Sequence, residues 1–129
     1  MQRERITQNK GPTLDFIGEQ IASVAFESSG DDPMEVGFEI WRTQGGALIA
    51  ATSTYPLERA GVELTRAVVV EPQTIPMEEL DRMSSDEIDE LHEAEVQRMQ
   101  FAVLDHFEWH DRAKSMVRKL KWKTTRKVA

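Results

Sequence analysis

Two histidines near the C-terminus have types and spacing that could support chemistry. They lie in the segment Asp105-His106-Phe107-Glu108-Trp109-His110-Asp111. If this segment is helical, the two imidazoles are four residues apart on one helical face. They could then share one metal ion such as zinc, with neighbouring carboxylates as further ligands or as groups that orient a ring. A metal-assisted or histidine-dependent enzyme centred on His106 and His110 is therefore one hypothesis for this chain.

A structural role for the same two histidines is the interpretation that the spacing favours. The order is not the His-Glu-x-x-His of a metalloprotease, and Glu108 projects away from the histidine face. His92 lies on the same stripe, but about 21 Å away along a straight helix, too far to be a third ligand. We expect His106 and His110 to be half-buried, bonded to a sheet or across a dimer seam, and we expect no cofactor.

A basic segment close to the C-terminus offers a second kind of chemistry. An indole interleaved with cations suits phosphate contacts and base stacking, which would allow non-specific nucleic-acid binding. A solvated helix end, whose lysines interact with the last carbonyls, is the favoured interpretation of the same pattern. The candidate nucleic-acid residues are Arg118, Lys119, Lys121, Trp122 and Lys123.

Charge is segregated along the chain, although the net charge of -7 would discourage contact with nucleic acid. Residues 78–95 contain nine acidic residues and one basic residue, whereas residues 112–127 contain eight basic residues and no acidic one. The 129 residues include no cysteine, which excludes disulfides, thiolate metal sites and cysteine nucleophiles. No apolar stretch is long enough to span a membrane. These features predict a cytoplasmic protein that does not enter a membrane.

The first half of the chain shows the alternation of apolar and polar residues that is typical of strands. We expect residues 1–13 to be a loose arm and residues 14–71 to form a four-stranded antiparallel meander. Ala22, Val24 and Phe26 share one face of the first strand, and Gly45-Gly46 predicts a hairpin between the second strand and the third. Val62 and Val70 delimit the fourth strand.

The second half changes to helical periodicity over residues 76–121, followed by a basic tail at 122–129. Pro76 and the capping box Ser84-Ser85-Asp86-Glu87 mark helix starts. An unbroken helix from Ser85 to Leu120 would measure about 54 Å, longer than a compact domain of this size. We therefore expect a break near residues 93–97, or an extension that meets a partner. The predicted partner-binding stripe is Val96, Met99, Val103, His106, Phe107, His110, Val117 and Leu120.

Two segments of the first half together have a strand-turn-strand pattern. They are Ile17-Gly18-Glu19-Gln20-Ile21-Ala22 and Glu39-Ile40-Trp41-Arg42-Thr43-Gln44-Gly45-Gly46, the second followed by an apolar strand. This pattern resembles a group of small uncharacterised bacterial proteins found on plasmids and phages, in which tyrosine is commoner at the position of Trp41. The resemblance covers the first half of the chain only. It implies a mobile-element setting and brings no activity with it.

These observations predict one α+β domain over residues 1–129, with amphipathic C-terminal helices that pack on the sheet or dimerise. Because no constellation of polar groups is complete enough for a reaction, the first hypothesis is a non-enzymatic protein-interaction or regulatory module. Such a module would bind a protein partner, or a second copy in a homodimer, through its helical face and segregated charge. The histidine-dependent enzyme and the nucleic-acid-binding tail are the alternatives.

Overall fold

The computed structural model describes residues 1–30, 33–57 and 63–128. The positions expected for the start of the fourth strand, including Val62, lie outside these ranges. In chain order the elements are β1 (Gln2–Ile6), β2 (Leu14–Glu27), β3 (Met34–Thr43), β4 (Leu48–Pro56), β5 (Leu64–Val70), α1 (Met77–Leu80), α2 (Ser85–His106) and α3 (Asp111–Arg118).

The protein is an α+β fold whose strands form one antiparallel sheet in the order β1-β2-β3-β4-β5. The predicted meander is confirmed, but it has five strands and not four. The expectation that residues 1–13 form a loose arm was wrong, because β1 pairs with the first part of β2 from Gln2↔Gly18 to Ile6↔Leu14. Strand β1 was not predicted because Ile6 is the only apolar residue among its five residues, so the strand shows no alternation.

Each face of the sheet carries a cluster of buried apolar residues. Side chains on one face, here called the helix face, pack under α2 and α3, and those on the other, the back face, form a smaller cluster. Ile6, Ile49 and Ala51 are buried in the back-face cluster. The main core lies between the helix face and the helices, and its buried residues are Phe38, Ile40, Leu48, Ala50, Val70, Met99, Val103, Leu104, Phe107, Ala113, Met116, Val117 and Trp122.

A bulge in β2 lets this one strand serve both clusters. The register with β3 shifts between Gln20 and Ala22. Because side chains alternate faces, one extra residue reverses which positions point to which side. Phe16, before the bulge, packs in the back-face cluster, whereas Val24 and Phe26, after it, pack against the main core. The predicted shared face of Ala22, Val24 and Phe26 is confirmed.

The helices start where the capping signals predicted, but the long helix breaks elsewhere. Ser84 is the N-cap of α2, and its Oγ accepts a hydrogen bond from the backbone N–H of Glu87 at 3.2 Å. Helix α2 continues through residues 93–97, where a break was expected, and ends at His106. No helix in the described ranges has both the length and the apolar character needed to cross a membrane.

The break between α2 and α3 is a tight turn built without glycine. Glu108 and Trp109 have φ values of 54° and 55°, in the left-handed region that non-glycine residues seldom adopt. The backbone N–H of Trp109 donates to Leu104 O at 2.9 Å, which satisfies a carbonyl at the end of α2. His110 is then the N-cap of α3. The turn directs α3 over β2 instead of past the sheet.

We predict that Gly18→Ala destabilises the fold by about 1–3 kcal/mol, because overpacking forces the backbone to shift. A Cβ at Gly18 would lie 2.5 Å from the backbone oxygen of Arg42 on the neighbouring strand. Gly37→Ala is the matched control, because a Cβ there meets nothing within 4 Å. It should be neutral or slightly stabilising. Urea denaturation of both variants checks this, and equal free energies of unfolding would contradict it.

Candidate functional site

The predicted partner-binding stripe is mostly used inside this chain. Met99, Val103, Phe107 and Val117 are buried in the main core against the sheet. Leu120 is half-buried and packs against the same core, whereas Val96 is 53% exposed. The expectation that the stripe is buried is therefore confirmed at these four positions. These four side chains face the chain's own sheet and are not exposed to a partner, and partner binding through the other stripe positions stays a prediction.

His106 is half-buried at the end of α2 and meets the helix face of the sheet. A hydrogen bond of 3.2 Å joins its Nε2 and the Thr52 hydroxyl on β4. Burial lowers the pKa of His106, and the charge of nearby Arg66 lowers it further. A hydroxyl beside an imidazole is the arrangement of a nucleophile and a base in some enzymes. Here neither Thr52 nor His106 lines either of the two clefts described below. The hydrogen bond of His106 to the sheet is therefore interpreted as structural, as expected.

His110 has a different role from His106, and the two are not on one helical face. The Nδ1 atom of His110 accepts a hydrogen bond from the backbone N–H of Arg112 at 3.0 Å, which caps α3. The exposed imidazole stacks on Phe26, with ring centroids 4.9 Å apart. The geometry proposed for zinc is therefore wrong, because the turn separates the pair. Within residues 1–30, 33–57 and 63–128, no three His, Asp or Glu side chains are grouped to hold a metal.

The predicted nucleic-acid segment is divided between the core and the surface. Trp122, the candidate residue for base stacking, is buried in the main core. Its backbone N–H donates to Val117 O at 3.1 Å, and Lys121, with φ 63°, makes the turn that places it there. The tail lies on α2 through Arg126 and Asp105, whose side chains are 3.1 Å apart. The basic residues Arg118, Lys119, Lys121 and Lys123 remain exposed, without a stacking ring between them.

The second part of β2 lies at an uncovered edge of the sheet. Strand β1 pairs only with Leu14–Gly18, whereas β3 pairs with β2 as far as Glu27. The backbone bond from Ser28 N to Met34 O sets the alternation along this ladder. Ser23 and Ala25 therefore direct their backbone N–H and C=O groups away from β3. In the described part of the chain, no strand pairs with these groups.

A groove of about 270 Å³ runs between this edge and α3. Its floor is apolar, from residues such as Ile21, Val24 and Met116. The α3 side presents the polar groups Arg112, Ser115 and Lys119, and no acidic residue among those that the structure describes lines the groove. The full lining is Ile21, Ala22, Ser23, Val24, Arg112, Ser115, Met116, Lys119 and Leu120.

The other edge of the sheet is covered by the chain itself. The loop between β1 and β2 reaches β5, where the side-chain oxygen of Gln8 accepts from the backbone N–H of Ala67 at 2.8 Å. The side-chain oxygen of Asn9 likewise accepts from Thr65 N at 2.6 Å, and Asn9 N donates to Thr65 O. The two edges of the sheet therefore differ: side chains satisfy part of β5, and the outer part of β2 stays open.

A second cleft lies on the back face, over β3 and β4, and it is acidic. Among the described residues, its charged lining groups are Glu35, Glu39 and Glu63, and the rest of the lining includes Gly37 and Tyr55. Within the part of the chain that the structure describes, these carboxylates do not form a group of three that could hold a metal. We therefore take the groove beside β2 as the candidate functional site.

Sequence reasoning missed this groove, although it identified the strand that forms it. The available signal was the length of β2, which has 14 residues against five in β1. A strand that is longer than its neighbour leaves part of one edge open unless another segment covers it. That signal required β1 to be recognised first, and it required the turn that brings Arg112 and Lys119 over β2.

Comparisons with known proteins add no relative: no family model, no curated protein and no solved structure matches this chain.

The lowered pKa of His106 predicts a specific loss of stability in acid. Its folded-state pKa lies below the unfolded value of about 6.5, so below that pH the unfolded chain binds a proton that the folded chain resists. This penalty is absent above about pH 6.5 and grows as the pH falls towards the folded-state pKa. His106→Gln, which cannot gain this charge, should lose less stability than the parent between about pH 7.5 and about pH 5.

Urea denaturation at the two pH values measures this difference. His92→Gln, at an exposed position on α2, is the control for losing an imidazole elsewhere. If His106→Gln lost as much stability in acid as the parent protein, half-buried His106 would not be a source of acid sensitivity.

Proposed function

We propose that this protein is a non-enzymatic interaction module that binds an extended, acidic segment of another protein. The segment adds as a strand to the open edge of β2 and lies under α3. The observation that carries this proposal is the unpaired backbone at Ser23 and Ala25 beside a groove lined by Arg112 and Lys119. This keeps the interaction role expected from the sequence and moves it from the helical stripe to a sheet edge.

Backbone pairing supplies the affinity in this mode of binding. An exposed strand edge is a template for another strand, and added strands use main-chain hydrogen bonds with side-chain pockets for selectivity. Here the pocket is the apolar floor, with Ile21 and Met116, which accepts alternate side chains of the ligand. Stacking of Phe26 against His110 helps to hold the wall of this region in place.

Charge selects an acidic ligand. Arg112 and Lys119 are exposed cations on the groove, and within residues 1–30, 33–57 and 63–128 no carboxylate lines it to neutralise them. The chain as a whole carries a net charge of -7, so the attraction for an acidic peptide is local to this surface. A basic peptide would meet repulsion at the groove and would be drawn to the acidic segment at residues 78–95 instead.

A second copy of the chain fits the same edge poorly. If two β2 edges paired antiparallel about Ser23, the bulge between Gln20 and Ala22 of each copy would disrupt the ladder between them. The α3 helices of the two copies would also bring Arg112 and Lys119 towards the same cations. These features favour a different protein as the partner.

The test is an NMR titration of the full chain with two synthetic peptides of about eight residues, about the length of one strand. One alternates glutamate and valine, and the other alternates lysine and valine. We expect the glutamate peptide to bind, to shift the amide resonances of Ser23 and Ala25, and to slow their hydrogen exchange. Arg112→Glu combined with Lys119→Glu should weaken this binding by at least about tenfold.

Matched variants separate the groove from general charge effects. Lys10→Glu makes the same kind of charge change in the loop near β5 and should leave binding unchanged. Ala25→Pro removes one outward amide without touching the bonds to β3, and it should abolish binding in protein that circular dichroism shows to be folded. Equal binding of the two peptides, shifts confined to other surfaces, or a dimer formed through β2 in native mass spectrometry would each overturn the proposal.

A further inference from the structure

A cage of two aromatic rings and a carboxylate lies at the end of α2, apart from the residues that line the groove. Phe101 and Trp109 have ring centroids 5.4 Å apart with their planes at 50°. The indole N–H of Trp109 donates to Asp105 Oδ1 at 2.7 Å, which fixes the ring beside the carboxylate. Phe101 and Asp105 are one helical turn apart on α2, so all three groups are positioned by local structure.

The backbone conformation that builds this cage is strained. Glu108 and Trp109 both adopt the left-handed region, and neither is a glycine. Strain of this kind persists where the surroundings hold it, and it occurs often at ligand clamps. Its effect here is to place the Trp109 ring against Phe101 and above Asp105, and not in the core with Phe107.

The side chain of Arg126 already occupies the cage. Its guanidinium carbon lies 5.1 Å from the Phe101 ring centroid and 5.2 Å from that of Trp109. Its Nη2 atom donates to the two oxygens of Asp105 at 3.1 and 3.3 Å. A flat, always-charged guanidinium can stack on rings and pair with a carboxylate at once, which an ammonium group does less well. The cage therefore has the chemistry of an arginine site.

We propose that Phe101, Asp105 and Trp109 form a binding site for an arginine side chain of a partner protein, and that Arg126 is a built-in competitor for it. The cage does not depend on Arg126 for its shape, since α2 and the turn provide all three groups. Arg126 comes from the tail beyond Trp122, which has no helix or strand in the described residues. The Arg126–Asp105 ion pair is about half exposed, at 49% and 56%, so it is weakly held.

Exchange of one arginine for another follows from this arrangement. A tethered side chain acts at a high effective concentration, so the free protein should bind an external arginine weakly. A ligand that held the protein elsewhere as well would displace Arg126 and release the tail. The site is thus preformed and masked, and its ligand is a guanidinium carried on an exposed peptide segment.

The test compares the full chain with Arg126→Ala in NMR titrations of acetyl-glycyl-arginyl-glycinamide. We expect the variant to bind this peptide at least about tenfold more tightly than the parent. The indole N–H resonance of Trp109 should shift during the titration. The lysine counterpart of the peptide should bind more weakly than the arginine peptide, because the cage suits a planar cation.

Two further variants decide between this site and a simple tail contact. Lys127→Ala removes a neighbouring cation of the same tail and should leave affinity as in the parent. Asp105→Asn in the Arg126→Ala background should lose the gained affinity while the core amide resonances stay in place. No gain in Arg126→Ala, an equal gain in Lys127→Ala, or binding without a shift of the Trp109 indole would each overturn the inference. None of these experiments uses the acidic peptide, so a negative result for the arginine site would not contradict the proposal that the β2 groove binds an acidic segment.

Discussion

The left-handed turn between α2 and α3 is the constraint on which the rest of the structure depends. Without it, the helical stripe would run straight past the sheet, and the residues after His106 would have no surface to cover. With it, α2 packs towards β4 and β5, and α3 returns over β2. Phe107 stays in the core against Phe38, with ring centroids 4.6 Å apart, where the chain reverses. The groove, the capped His110 and the aromatic cage are all consequences of this one turn.

The elements that were predicted correctly are those whose signals are local. Strands β2, β3 and β4 show alternation, and the hairpin at Gly45-Gly46 has the expected turn residues, with Gly46 at φ 87°. The start of α2 follows from the serine at Ser84, whose cap needs nothing from the rest of the chain. The burial of the helical stripe could be inferred because apolar residues at helical spacing must pack against something.

The elements that were missed depend on contacts distant in the sequence. Strand β1 has a single apolar residue, and Arg3 pairs with Asp15 across the sheet in a way no local pattern reveals. The turn after α2 carries no glycine, so the usual marker of a helix end was missing. Trp122 has cations on both sides and was interpreted as a surface residue, although the turn at Lys121 sends it into the core.

The groove and the aromatic cage could not be predicted from the sequence for a related reason. The groove requires the lengths of two strands to be compared and the path of α3 to be known. The cage requires Arg126 to return across Phe101 and Trp109 from more than a dozen residues away in sequence. The histidine pair, which looked most like chemistry, was a feature of an assumed continuous helix. When the helix breaks, each imidazole has a separate partner, Thr52 for one and the α3 backbone for the other.

The unequal treatment of the two sheet edges is the strongest structural reason to assign a binding role. Open edges invite unwanted pairing, and proteins protect them with bulges, charges or covering loops. Here β5 is covered at Thr65 and Ala67 by side chains of a loop. The open part of β2 has a bulge near one end, which disrupts pairing with a copy of itself, and it is flanked by Glu19 and Glu27. Between them the strand keeps small and apolar residues under two cations. This arrangement resists self-association yet leaves room for an acidic strand, whereas an edge needing only protection would carry its charges in the middle.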